Sequence, residues 1–349
     1  MSLLELRDLA VTYAAGGSGA GARSGVPAVR GVSLTVDAGQ TLGIAGESGC
    51  GKSTLAAAVL RLLPRTAKVT GQVMFEGEDV LRMKWGRLRA VRWAGASIVF
   101  QGAMHSLNPV QRIGKQIAEP ILLHEPGVTP AAAAKRVGSL LEQVGLPAWR
   151  ASGYPHELSG GQKQRIMIAM ALACSPHLIV ADEPTTALDV MIQAQVLTLI
   201  KGLVEERGIG MIMISHDLSV LSVTCQRLAV MYAGLIVEEG PAHEVFTGAQ
   251  HPYARALAWA FPVIGDPDSR RRPRGLGGDP PDPADLPGGC SFHPRCPVAE
   301  PECASAQTEL WPAGPQRVAA CIKVRPAGQA GHPRVSVTNQ DDQHGEAIA

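Results

Sequence analysis

The sequence predicts an α/β fold built around a phosphate-binding loop, and three observations point to it. "GESGCGKS" (Gly46 to Ser53) fits the pattern G-x-x-x-x-G-K-[ST] and lies between an apolar run and a helix-spaced segment. "PHLIVADEP" and "GIGMIMISHD" are apolar without alternation, as strands buried on both faces of a parallel sheet are. Each is followed by a helix-spaced segment, "MIQAQVLTLIKGLVEER" and "LSVLSVTC", so strand and helix alternate along the chain.

Taken in order, "LLELRDLAVTY" and "VRGVSLTVDAG" alternate apolar and polar positions and are expected to be half-buried antiparallel strands. Between them "AAGGSGAGARSGVP" has too few large apolar side chains to pack and reads as a loop insertion. "TLGIAG" is an apolar run ending in glycine, and "KSTLAAAVLRLL" has helical spacing with Pro64 as its stop. From about 102 to 150 the pattern is helical, with Thr129 as N-cap and Gly145 as C-terminal stop of "TPAAAAKRVGSLLEQVG". After "HPYARALAWAFP" the stretch "GDPDSRRRPRGLGGDPPDPADLPGG" is proline, glycine and charge with almost nothing to bury, and is expected to be a linker.

The 349 residues suffice for one large domain and an accessory piece. With 32 Lys and Arg against 31 Asp and Glu, bulk charge gives no footprint for nucleic acid. The N-terminus mixes charges into its first seven positions and does not read as a secretory signal, so the chain is expected in the cytosol. The longest uncharged apolar stretch, Ile166 to Ala181, is broken by Ser175, Pro176 and His177 and is too short to span a bilayer. Of seven cysteines, Cys290, Cys296, Cys303 and Cys321 gather near the C-terminus, as a ligand set would.

The chemistry concentrates at strand ends. Glycines of the phosphate loop let backbone N–H groups converge on phosphate oxygens, Lys52 reaches the terminal phosphates and Ser53 offers its hydroxyl to Mg²⁺. Asp182 and Glu183 end an apolar strand, where adjacent carboxylates are costly without a cation: Asp182 serves the metal and Glu183 the attacking water. A second such strand delivers His216 to the sheet's carboxyl edge, where open α/β sheets bind ligands. Gln101 follows a short apolar strand, and its neutral amide suits Mg²⁺ or water. A further small-residue run, "LSGGQ" (Leu158 to Gln162), stands ahead of another helix, although one nucleotide needs only one phosphate cradle.

These residues, in this order from Leu3 to about Leu257, resemble the nucleotide-binding subunits of ABC transporters. The resemblance implies a P-loop NTPase ABC cassette: a RecA-like mixed sheet core with an antiparallel β subdomain and a helical subdomain near 102–165, together filling about 1–250. It implies that Tyr13 stacks on adenine, that Gly46, Glu47, Ser48, Gly49, Cys50, Gly51, Lys52, Ser53 and Thr54 hold the phosphates, and that Ser53, Gln101 and Asp182 hold Mg²⁺. Catalysis falls to Glu183 and His216 with Gln101. Two such domains pair head to tail in this family, so Ser159, Gly160, Gly161 and Gln162, with Asp189 of "TALD", complete the partner's site. That accounts for the second cradle. The long loop after Tyr13 and Gly102, where an acidic residue is common, depart from the family pattern.

"HPYARAL" and "CSFHPRCP" resemble the oligopeptide and dipeptide importer branch, whose relatives also import nickel. The resemblance implies an ATPase on the cytoplasmic face of the membrane, two transmembrane permease subunits, a second ATPase subunit and an extracytoplasmic solute-binding protein, with no nucleic acid. A nickel or metallophore importer is the alternative cargo, and a soluble non-transport ATPase a more distant one. It further implies a connecting segment at 251–265, a linker at 266–289, a Cys-rich C-terminal extension at 290–325 and a disordered tail at 326–349. For the four cysteines it implies a [4Fe–4S] cluster. Their spacings are not those of ordinary zinc knuckles, and Zn²⁺ or free thiols stay open beside the cluster.

Overall fold

A computed structural model describes residues 2–14, 25–100, 106–185, 188–260, 275–307 and 309–326. Gln101, Gly102, most of the Gly/Ala-rich insertion, the first half of "TALD", the "SRRRPR" run and the expected tail lie outside the described residues.

Two sheets share the chain. β1 (Leu4–Tyr13), β2 (Val26–Val36), β4 (Lys68–Phe75) and β5 (Glu78–Asp79) form an antiparallel sheet in the order β2-β1-β4-β5. Their alternating side chains put Leu4, Leu6, Leu9, Val11, Val32, Leu34 and Val36 into one buried layer, as the period-two pattern demands. The larger sheet runs β11-β12-β10-β9-β3-β8-β7-β6. Its centre is parallel: β3 (Thr41–Ala45), β8 (Gly210–Ser215), β7 (Leu178–Asp182) and β6 (Ala96–Val99), with β9 (Arg227–Tyr232) on the other side of β3. β3, β7 and β8 are buried at every position, which is why their sequences show no alternation.

The helix stops are written locally. α1 (Lys52–Val59) ends earlier than its apolar spacing suggests, because Arg61 turns left-handed (φ 51°) and Leu62 N–H bonds back to Ala57 O at 2.8 Å, a Schellman closure. α2 (Trp85–Val91) packs beneath the small sheet through Leu88 and Val91. α3 (Ile113–His124) and α4 (Pro130–Gln143) form the helical region with α5 (Gly160–Ala171). Thr129 caps α4 through Ala132 N–H at 3.2 Å, and Gly145 (φ 71°) closes it, as expected. α6 (Val190–Arg207) is capped by Asp189 and α7 (Leu218–Thr224) by Asp217. α8 (Ala242–Gly248) and α9 (Pro252–Ala260) follow the β9–β10 hairpin.

The C-terminal segment does not hang apart from the cassette. β11 (Trp311–Gly314) and β12 (Arg317–Ala319) continue the large sheet, with Glu238 opposite Ala319 and Glu239 opposite Val318 on β10 (Leu235–Pro241). Two charged residues in the middle of a buried strand need cations. Glu239 pairs with Arg227, and Glu238, fully buried, accepts from Arg317 at 2.6 Å and from the N–H groups of Gln250 and His251 at 2.9 and 2.7 Å. Phe292 sits in the main core. The described part of the expected linker is also engaged: Leu276 packs against that core, and Pro280, Pro281, Pro283 and Leu286 face the phosphate loop across a cavity of about 160 Å³. Among the described residues no helix is long and apolar enough to cross a membrane.

Candidate functional site

Three adjacent parallel strands deliver the chemistry to one edge of the sheet. β3 runs into the loop Gly46–Gly51, β7 ends in Asp182 and Glu183, and β8, between them, ends in Ser215 and His216. The sheet order therefore assembles residues 46 to 216 within one crevice outside the carboxyl ends.

The phosphate loop is shaped by close approach. A Cβ on Gly46 would stand 2.2 Å from Met231 O, and one on Gly51, whose φ is 106°, 2.1 Å from Ala28 O. Both positions exclude any side chain. Lys52 opens α1, is 5% exposed, and donates to Gly46 O at 2.7 Å and Glu47 O at 2.8 Å. Its ammonium is thus held over the loop by the loop's own carbonyls. Tyr13 Oη lies 3.2 Å from Thr54 Oγ1, which ties the end of β1 to the first turn of α1. Cys50 is buried, and burial pushes its thiol up, so it is a packing residue and a poor nucleophile.

Asp182 carries a buried Oδ1 without a hydrogen-bond partner. Burial raises its pKa, against the hydrogen bond from Ser53; the neighbouring Glu183 raises it further and Lys52 lowers it. A desolvated carboxylate oxygen beside a serine hydroxyl is a donor set that suits Mg²⁺, since a cation there would satisfy the orphaned atom. Glu183 adopts a left-handed backbone (φ 47°), held by its N–H to Ile214 O at 2.9 Å. For a residue with a side chain this conformation costs roughly 1–3 kcal/mol. It turns the carboxylate out of the strand's alternation toward His216, whose Nδ1 stands 3.7 Å from Glu183 Oε1. Glu183 is largely enclosed, while the His216 side chain is 56% exposed.

The second small-residue run is placed elsewhere. Ser159 caps α5, accepting from Gln162 N–H at 3.4 Å while Gln162 Oε1 accepts from Ser159 N–H at 3.2 Å, a capping box. Ser159 is exposed and Gly160, Gly161 and Gln162 half-exposed. Gly161 has a reason of its own to be glycine, because a Cβ would meet Ile192 Cγ2 of α6 at 2.5 Å. Asp189 is spent on Ile192 N–H at 3.0 Å. Beside it Val190 and Met191 are 75% and 72% exposed.

Matches to known proteins agree with this geometry. A family described as "ABC transporter" matches residues 29–186, and one described as "Oligopeptide/dipeptide transporter, C-terminal region" matches residues 237–303. The chain is 44% identical over 323 residues to the probable peptide ABC transporter ATP-binding protein y4tR of Sinorhizobium fredii, covering 91% of this chain and 94% of that protein. This chain belongs to the ABC transporter ATP-binding proteins. Another relative of the ABC ATPase is the oligopeptide transport ATP-binding protein OppD of Salmonella typhimurium, 42% identical over 323 residues, with 92% and 93% of the two chains covered. The cassette fold is shared with the dimeric ATP-binding cassette MJ0796 solved with ADP and Pi, at TM-score 0.61 and 29% identity, over 68% of this chain and 98% of that one.

Sequence reasoning on the ABC ATPase missed residues that hold the loop from behind. Glu47 N–H donates to Tyr253 Oη at 2.8 Å, and its carboxylate is gripped by Arg295, Nη1 to Oε2 at 2.7 Å and Nη2 to Oε1 at 2.9 Å. The signal available was a carboxylate inside a phosphate-binding loop, which asks for a cation.

The expected metal ligands at the C-terminus need correcting in one respect. Cys290, Cys296, Cys303 and Cys321 do line one small cavity of about 20 Å³. As placed, however, no group of three or more candidate ligands among the described residues could hold a metal ion. The backbone around them is fixed by Cys290 N–H to Cys303 O and Cys296 N–H to His293 O, and the Cys303 thiol is already engaged, its Sγ accepting from Glu300 N–H. Burial pushes the thiols of Cys290, Cys296 and Cys321 up, which favours the protonated form.

Proposed function

We propose that this chain hydrolyses ATP to drive uptake of peptides through partner permeases, with each of its nucleotide sites completed by a second ATPase subunit. The observation that carries the reading is the meeting, at one sheet edge, of the Lys52 loop, the orphaned oxygen of Asp182 and the Glu183–His216 pair. Lys52 takes the β- and γ-phosphates, the N–H groups of the loop and of α1 the remaining phosphate oxygens. Ser53, Asp182 and Gln101 hold Mg²⁺, which neutralises charge on the phosphates. Glu183 orients and polarises the attacking water, and His216 holds Glu183 and the γ-phosphate in register. Tyr13 supports the adenine.

For the shared site, support comes from the exposure of Ser159 at the start of α5 and of Val190 and Met191 beside Asp189. These surfaces receive the second subunit, and Ser159, Gly160, Gly161 and Gln162 cover the phosphate held by the partner. Peptide cargo, two permease subunits, a solute-binding protein and a station on the cytoplasmic membrane face follow from the relatives' names and the C-terminal match. A [4Fe–4S] cluster on the four cysteines, with Zn²⁺ second, draws its support from their shared cavity alone.

The test is Glu183→Gln in the assembled transporter. It is expected to lower hydrolysis at this chain's site by about 10²–10⁴-fold while retaining ATP through gel filtration. In a pair of two copies of this chain, adding Ser159→Arg on the copy that faces that site should abolish the retention and leave the initial nucleotide affinity in place. Wild-type turnover in Glu183→Gln removes Glu183 from its role, and retention that survives Ser159→Arg removes the shared site.

A further inference from the structure

We infer that Arg295 and Tyr253 are positioning residues of the phosphate loop: from the C-terminal segment they fix Glu47 and cancel its charge, so that the loop receives a triphosphate.

Three polar groups of Glu47 are tethered at once. Its N–H goes to Tyr253 Oη, its carbonyl to Lys52 Nζ and its carboxylate to both Nη atoms of Arg295. The loop around it carries Gly46, Gly49 and Gly51 at positive φ, and glycine loses the most freedom on ordering. Ordering the loop before the ligand arrives removes that loss from the binding step.

The anchors are rigid. Tyr253 is fully buried, and its ring packs with Tyr232 and Phe292 at centroid separations of 4.5 and 5.3 Å. Arg295 is 7% exposed, donates through Nε to Gly277 O at 3.0 Å and through Nη1 to Tyr232 Oη at 3.3 Å, and lies about 6 Å from the Tyr232 and Phe292 ring centres. Its planar fork meets the carboxylate in the bidentate geometry that gives the strongest ion pairs.

Charge supplies an independent reason. A carboxylate in the loop repels the polyanion the loop must hold. Arg295 neutralises it. Without Arg295, Glu47 both loosens and repels; without both charges, the repulsion is gone. A purely structural Arg295 would behave differently, because deleting Glu47 as well would restore nothing.

This inference rests on Lys52 and its loop being the ATP cradle. The experiment measures equilibrium binding of Mg·ATP and steady-state kinetics in the assembled transporter, for Arg295→Met, Glu47→Gln, the double variant, Tyr253→Phe and Lys52→Ala. Arg295→Met is expected to raise Kd and KM for ATP about tenfold, the order of one charge-assisted pair, with kcat within about twofold. The double variant should return to within about threefold of wild type, and Tyr253→Phe should weaken binding a few-fold. Glu47→Gln alone, which keeps the fold should Arg295→Met fail to fold, loses the ion pair together with the repulsion and is expected to bind ATP within about threefold of wild type. Unchanged affinity in Arg295→Met, no rescue in the double variant, or binding by Glu47→Gln as weak as that of Arg295→Met overturns the inference. Wild-type binding by Lys52→Ala would instead overturn the nucleotide reading beneath it.

Discussion

Arg317→Met tests what attaches the C-terminal strands to the cassette. Glu238 has no exposed surface and accepts from four N–H donors: Arg317 Nε and Nη2 at 3.0 and 2.6 Å, and the backbone N–H groups of Gln250 and His251. Arg317 Nη2 also donates to Gly248 O at 2.7 Å. Methionine keeps the stem's packing and deletes the cation. Removing one partner of a buried pair costs about 3–5 kcal/mol. The two backbone donors stay on Glu238, which places the expected loss near the lower end, about 3 kcal/mol. The assay is urea unfolding at neutral pH with the slope m compared between variants, read beside hydrogen exchange over 235–241 and 250–260. Protection in both segments should fall together, since Glu238 joins them. Glu238→Gln in the Arg317→Met background should recover part of the loss, because a neutral amide needs no cation. A loss under about 1 kcal/mol, or no recovery, would refute the reasoning that this pair carries a desolvated charge.

Burial holds His251 down to about 3, against about 6.5 in an unfolded chain. The folded state therefore takes up its proton last: the stability this neutral ring contributes is full above pH 6.5 and drains by about 1.4 kcal/mol per pH unit as pH falls toward 3. His251→Asn, which keeps an acceptor for Tyr253 N–H, should flatten that slope in urea midpoints measured from pH 7 to pH 5, and an unaltered slope would show that His251 does not set it. Elemental analysis after anaerobic purification tests the proposed cluster: iron with acid-labile sulfide in equal amounts supports it, colourless protein with zinc selects the zinc reading, and protein with neither removes both.

What could be read from the sequence was what is written within a few residues. The loop Gly46–Ser53 between β3 and α1, the carboxylates ending β7, the histidine after β8, and the stops at Thr129 and Gly145 each depend on neighbours close in the chain. The Ala233–Gly234 turn between β9 and β10 has both residues at positive φ, a hairpin geometry that Asn-Gly or Asp-Gly would announce and alanine does not. Other features depended on partners far away. "LIVEEGP" looks unfit for a buried strand until Arg227 and Arg317 are beside it, 12 and 79 residues from their carboxylates. The Pro-rich run from 275 looked like a linker because its contacts are with the phosphate loop rather than with itself. Tyr253 and Arg295 stood out as branch markers, but nothing in their spacing said that both reach Glu47.

The Arg295–Glu47 pair spans 248 residues. At about 5–20 residues per second on the ribosome, the loop is made roughly 12–50 seconds before the side chain that steadies it. The cradle itself closes only once β8, β9 and Met231 have been made, and from then until Arg295 emerges the nascent cassette lacks the clamp. Newly made chains therefore acquire full affinity for ATP only after the C-terminal arm has folded back, which orders the maturation of each subunit ahead of its enlistment into a working pair.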